Sequence, residues 1–214
     1  MRSKRSSDSA AEGVVARFLD LYFYPNIRSD WKREEEREAQ LLGVDVTLET
    51  DSGSIAVDEK AAVHYVNKEL PTFAFEINYY NEQGDLVGGW FLDPKKVTEW
   101  YLLIWIKAKK EKDMGLEDIL ELEVMMLERE QLKQDVEKKG ALKGLEGGAS
   151  LMRSEGIKKR SIAGQKDMYF YLTETLAEKP LNLIIRKSHL SKMALLHALV
   201  DRTGISKVIS KRDP

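Results

Sequence analysis

The chain contains no cysteine, which excludes a disulfide framework and any thiolate metal site. No apolar run approaches the roughly 18 residues of a membrane-spanning helix; the longest, around WYLLIWI, has the length of a strand. The basic N-terminus MRSKRSSDSA is followed by no apolar segment, so it lacks the pattern of a secretory signal. Net charge is small, 34 basic against 36 acidic residues for a formal −2, so no global field draws the chain to nucleic acid. A local basic groove around an acidic site is compatible with that balance. Nucleotide-cradling loops are absent, with neither G-x-x-x-x-G-K-[ST] nor a G-x-G-x-x-G after a strand. GLEGG at 144–148 is a poor phosphate loop, because no strand precedes it and no Lys-Ser/Thr follows. There is no G-x-S-x-G elbow and no H-E-x-x-H, and zinc is disfavoured. The expectation is an intracellular, cytoplasmic protein with no membrane partner.

What is present describes an ordinary globular protein: 214 residues, 43% hydrophobic and 33% charged, long enough for a sizeable core. Residues 1–8 read as a disordered tail. Ser9 and Glu12 form an S-x-x-E capping box opening a helix, AAEGVVARFLDLYFY, that Pro25 ends. SDWKREEEREAQLL is compatible with helix or loop. Residues 44–49 and 55–61 flank the polar turn TDSGS and predict a hairpin; TFAFEINYY and DLVGGWFL flank NEQGD and predict a second. EWYLLIWIKA and DILELEVMML continue as strands, and EREQLKQDVEKKG is a helix stopped by Gly140. Residues 140–167 suggest a loop with a short helix. MYFYLTE and LNLIIRK are strands, and SHLSKMALLHALVDRTG predicts a closing helix over 188–202, stopped by Gly204. This order gives an α/β fold with a mixed central β-sheet flanked by helices, extra strands and a C-terminal helix. The basic clusters, such as Lys158, Lys159 and Arg160, read as solvated surface.

The first hairpin carries an unusual group of charges. Strand side chains alternate, so Asp58 and Lys60 share a face roughly 6–7 Å apart, while Glu59 joins Val57 and Ile55 on the other. If Val44, Val46 and Leu48 pair onto the face of Ile55 and Val57, Asp45 lies with Asp58 and Lys60. Two converging carboxylates make a hard oxygen site suited to Mg²⁺ or Mn²⁺ completed by waters. A lysine beside them can hold a phosphate or orient the attacking water. Other readings stand beside this one: Asp58 and Lys60 as a surface ion pair, Glu12 as a capping residue, and Gln40 as helix surface or a substrate contact. Glu76 is either a third carboxylate or a solvent-facing strand residue. His64, His189 and His197 lie too far apart in sequence to suggest a ligand cluster.

Asp45 followed by Asp58-Glu59-Lys60, with Glu12 on a preceding helix, resembles the PD-(D/E)XK nuclease superfamily. The resemblance covers roughly residues 9 to 107. It implies a restriction endonuclease-like α-β-β-β-α-β core, with an acidic residue on one strand and (D/E)-x-K on the next. Metal-ligand roles fall to Asp45 and Asp58, a catalytic role to Lys60, and an additional acidic role to Glu12. Val44 stands where the motif name has proline, and a second hairpin with DPKKVTEW occupies the place of the helix after the third core strand. The expected organisation is a nuclease-like core over 9–110 and a C-terminal α/β extension over 111–214 packed on the same domain. The implied function is Mg²⁺-dependent cleavage of DNA, with a homodimer as one possible assembly. The alternative is a non-catalytic protein- or nucleic-acid-binding module on the same scaffold, using 188–202 and 140–167 to hold a partner.

Overall fold

The computed structural model describes residues 4–51, 53–143 and 145–212. In chain order the elements begin with α1 (Lys4–Tyr22), α2 (Tyr24–Ile27), β1 (Trp31–Arg33), α3 (Arg37–Leu41), β2 (Val46–Thr50) and β3 (Gly53–Ala61). They continue with β4 (Thr72–Tyr80), β5 (Leu86–Gly88), β6 (Trp100–Ala108), β7 (Ile119–Glu128), α4 (Arg129–Lys138) and α5 (Leu145–Ser154). The last are β8 (Lys159–Ser161), β9 (Met168–Leu172), β10 (Leu181–Arg186), α6 (Lys187–Met193), β11 (Leu196–Asp201) and β12 (Gly204–Lys211). The fold is mixed α/β.

The chain divides into two units, the first from Met1–Leu70, Val97–Arg129 and Ser191–Pro214, the second from Pro71–Lys96 and Glu130–Leu190. This division does not follow the expected boundary at 110, because β6 and β7 pair directly across it. In the first unit a seven-stranded sheet runs β1-β2-β3-β6-β7-β11-β12. It is antiparallel except where β3 and β6 run parallel. β6 is the central strand, which explains its unbroken apolar run: both of its faces are buried, from Tyr101 to Ile106. Val15, Phe18 and Leu19 of α1 pack with Val46, Leu48, Val57, Leu102, Ile104, Val124 and Ala198 in one core. The opposite sheet face carries Asp58, Lys60, Tyr101, Leu103 and Met125, which follow one another across β3, β6 and β7.

Three sequence expectations require correction. α1 starts at Lys4, so residues 4–8 are helical and Ser9 lies inside the helix rather than at its cap; residues 1–3 lie outside the described residues. Pro25 sits in the first turn of α2, where its missing N–H costs nothing, after α1 has ended at Tyr22. The expected helix over 188–202 is α6 followed by the β11–β12 hairpin. ALLHALV fits either period, and pairing with β7 decides for strand, burying Leu196, Ala198 and Val200 on the α1 side. Gly204 (φ +108°) turns this hairpin instead of stopping a helix. The undetermined stretch SDWKREEEREAQLL contains β1 and α3.

The second unit holds a five-stranded sheet in the order β5-β4-β10-β9-β8. Its hairpin closes over Gly89, where an added Cβ would stand 2.5 Å from the backbone oxygen of Glu76, whereas Gly88 has open space. Backbone cannot move aside as a side chain can. Gly89→Ala is therefore expected to destabilise the protein by about 1–3 kcal/mol, while Gly88→Ala stays within about 1 kcal/mol. Paired urea-unfolding curves check this, and equal midpoints for the two variants would refute the close approach.

Candidate functional site

The β2–β3 register pairs Val46 with Val57 and Leu48 with Ile55. The ladder ends at Val46–Val57, and Asp45 stands immediately before β2, held against the Val57–Glu59 backbone of β3. Asp45 is fixed at three points: its N–H donates to Val57 O at 2.9 Å, its carbonyl accepts from Glu34 N at 2.9 Å, and its Oδ2 accepts from Glu59 N at 2.7 Å. The Asp45 carboxyl is near enough for its charge to push the Asp58 carboxyl up. Asp58 is only 2% exposed, which removes the reading of a surface ion pair. Its Oδ1 accepts a hydrogen bond from Lys60 Nζ. Its Oδ2 is buried with no hydrogen-bond partner.

A buried, unpartnered carboxylate oxygen next to a second carboxylate carries a cost that a proton or a cation would relieve. Burial raises the Asp58 carboxyl most, Lys60 draws it down and Asp45 pushes it up again, leaving it at about 6 against an ordinary 3.8. Two carboxylates with one unpartnered oxygen suit Mg²⁺ or Mn²⁺, which bind through one or two carboxylates and retain waters. Among the described residues no group of three or more His, Cys, Asp or Glu could hold a metal ion, so the protein's own donors would complete only part of a coordination shell.

Behind the pair, on the α1 side of β3, lies a buried network that the sequence did not reveal. Glu59 Oε1 accepts from Tyr24 OH at 2.6 Å and from Arg33 Nη2 at 2.9 Å, and its Oε2 accepts from Arg33 Nη1 at 3.0 Å. The same guanidinium reaches Asp20, with Nε 2.8 Å from Oδ1. Burial raises the Glu59 carboxyl while Arg33 and Tyr24 oppose the shift. Burial also pulls the Arg33 guanidinium down, but its bonds to Glu59 and Asp20 outweigh that and hold it above its usual range. The network grips the middle residue of Asp58-Glu59-Lys60 from the rear, and so fixes which way its two neighbours face.

The α1 carboxylate in this rear network is Asp20, joined to Glu59 of β3 only through Arg33 of β1. Glu12 is exposed in the body of α1, eight positions or about 12 Å along the axis from Asp20. Gln40 is exposed on α3, and its Nε2 donates to Glu34 O at 3.0 Å, bracing the segment that leads into Asp45. Glu76 belongs to β4 of the second unit. His197 is on β11, with Ser191 Oγ and Glu123 Oε1 each 2.8 Å from its two ring nitrogens. His189 meets Asp135 at 2.8 Å in the second unit.

Two further residues join the front face. Tyr101 is the β6 neighbour of Asp58, and its hydroxyl accepts from Arg129 Nε at 3.1 Å. Burial raises the Tyr101 hydroxyl; Arg129 opposes the shift, and the Asp58 charge adds to it. No local pattern marks these residues, since Tyr101 reaches Asp58 only through the parallel β3–β6 register.

No family model, curated protein or solved structure matches the chain. The geometry alone therefore carries the functional reading.

The raised Asp58 carboxyl has a pH consequence. Between pH 3.8 and about 6 the folded chain holds this proton and the unfolded chain does not. Stability therefore falls as pH rises through that window, by about 3 kcal/mol or less once the charge is complete. Lys60, Asp45 and Tyr101 face the group, and an amide at 58 removes the charge while offering Asp45 a donor. In chelator, Asp58→Asn is expected to melt above the wild type at pH 8, with the gap closing toward pH 4. A gap independent of pH would contradict the buried ionisation.

Proposed function

We propose that the protein is a metal-dependent phosphodiesterase that cleaves DNA, with Asp45 and Asp58 as the metal ligands. The observation that carries this reading is the buried, unpartnered Oδ2 of Asp58 beside Asp45, with Lys60 bonded to the same carboxylate. The order of a helix, Asp45 just before a strand, and a strand with Asp58-x-Lys60 supports the resemblance to the PD-(D/E)XK superfamily. Bound there, Mg²⁺ or Mn²⁺ would supply Lewis acidity and make a water acidic enough to attack phosphorus near neutral pH.

This chain's own groups divide the remaining work. Lys60, bonded to the Asp58 carboxylate, would steady the attacking water or a non-bridging phosphate oxygen. Arg129, held by Tyr101, adds a second positive group for the scissile phosphate. Gln40 contributes at most a peripheral contact to substrate. The low exposure of Asp58 limits bulk water around the reacting groups, which strengthens each of these electrostatic interactions. Among the described residues no helix is long and apolar enough to cross a membrane.

The deciding experiment is a gel assay with linear, circular, single-stranded and branched DNA, with and without Mn²⁺. Cleavage that requires the metal supports the reading. DNA retained without cleavage under every condition would favour a non-catalytic binding module and sink the enzyme.

A further inference from the structure

The second unit contains a cavity of about 300 Å³ formed near the start of α5 and along β8. It brings together parts of two sequence features that the acidic site leaves unused: Leu145 and Gly148 of the glycine-rich stretch, and Arg160 of the basic run. Lys139, Lys143 and Arg160 line it, and no carboxylate does so among its described side chains. Lys139 is balanced by Asp135 at 2.9 Å. Lys143 and Arg160 form no ion pair with a described residue. The remaining wall is apolar, with Met152 from α5 and Phe170 from β9, each mostly buried.

Gly148 fixes how the guanidinium sits. A Cβ at that position would fall 2.1 Å from Arg160 Nη1, so the fork lies in the notch that the missing side chain leaves. The Lys143 stem lies against Gly140, 4.0 Å from where its Cβ would stand. Two cations over an apolar floor attract an anion, and a planar guanidinium with an ammonium matches the tetrahedral oxygens of phosphate. The space is larger than a bare phosphate needs and lies at the lower end of small-molecule sites. The apolar floor calls for a body attached to the anion.

We propose that this cavity binds a phosphomonoester carried on a flat aromatic body. Lys143 and Arg160 hold the phosphate, and Met152 and Phe170 carry the body. A free nucleoside monophosphate and the 5′-phosphorylated end of a nucleic-acid strand share this chemistry. The site does not depend on the nuclease reading.

Titration calorimetry on the full chain in chelator, so that no metal-dependent cleavage occurs, tests the proposal. The probes are adenosine monophosphate, adenosine, inorganic phosphate, and a short oligonucleotide with either a 5′-phosphate or a 5′-hydroxyl. At least one phosphorylated probe is expected to bind at least tenfold more tightly than its unphosphorylated counterpart, and adenosine monophosphate more tightly than inorganic phosphate if the free nucleotide is the ligand. Arg160→Glu with Lys143→Glu should weaken that binding tenfold or more with an unchanged melting temperature. Gly148→Ala, which displaces the fork but keeps every charge, should weaken it severalfold. If the charge-reversed chain loses stability, Arg160→Gln replaces it with the same expected direction. Preference for the monophosphate identifies a free nucleotide as the source, and preference for the phosphorylated oligonucleotide identifies a strand end. No binding by wild type at millimolar concentrations, or undiminished binding by the charge-altered variants, overturns the proposal.

Discussion

Asp58→Asn is expected to reduce Mg²⁺- or Mn²⁺-dependent DNA cleavage by more than about 100-fold while leaving the fold intact. Loss of even an outer partner of a metal ligand commonly costs 10–100-fold, and here one of two ligating carboxylates is lost. The amide keeps the size of the side chain, so the buried position stays filled. It can still accept from Lys60, and its NH₂ can donate to Asp45, where the wild-type pair offers no proton when both groups are ionised. Activity and apo-state stability should therefore move in opposite directions. The check is cleavage of a labelled DNA together with melting temperature in chelator. Equal cleavage by both proteins would reduce Asp58-Glu59-Lys60 to a structural feature.

The second large effect concerns the rear of the same strand. Arg33→Met is expected to destabilise the protein by about 3–5 kcal/mol, because it strands the buried Glu59 carboxylate without its cation. The Asp20 side chain is 26% exposed and can be rehydrated, whereas that of Glu59 is 9% exposed and bears most of the penalty. Tyr24 alone cannot balance a full charge. Arg33→Met combined with Glu59→Gln should recover much of the loss, since the uncompensated charge is gone. Urea midpoints for the two single variants and the double variant check the coupling. A single-variant loss below about 1 kcal/mol, or additive losses in the double variant, would show that Arg33 does not neutralise Glu59.

The front and rear of β3 were not equally legible in the sequence. Alternation along one hairpin is local, so the register of Val46 with Val57 follows from burying the valines, and it carries Asp58 and Lys60 to the other face. It also places Glu59 on the core side. What lies there could not be read, because Arg33 belongs to a three-residue strand inside a charged stretch with no clear period. Asp20 and Tyr24 come from α1 and α2, and tertiary packing alone joins them to Glu59. The capping role expected of Ser9 and Glu12 fails for a related reason: S-x-x-E is a good local signal for a helix start, but α1 extends through it. ALLHALV is ambiguous in sequence because helix and strand periods both fit a short apolar run, and only pairing with β7 arbitrates. The two units are discontinuous in sequence, so a single boundary near 110 had no means of describing them.

Mn²⁺ binding measured by titration calorimetry tests the central claim, that Asp45 and Asp58 together hold a divalent cation, without relying on a choice of DNA substrate. Wild type at pH 8 should bind Mn²⁺ at a single site, and Asp45→Asn and Asp58→Asn should each remove that binding. At pH 5 the wild-type affinity should fall, because protons then compete for a carboxyl that titrates at about 6. No Mn²⁺ uptake by wild type, or uptake undiminished in both variants, would contradict the account.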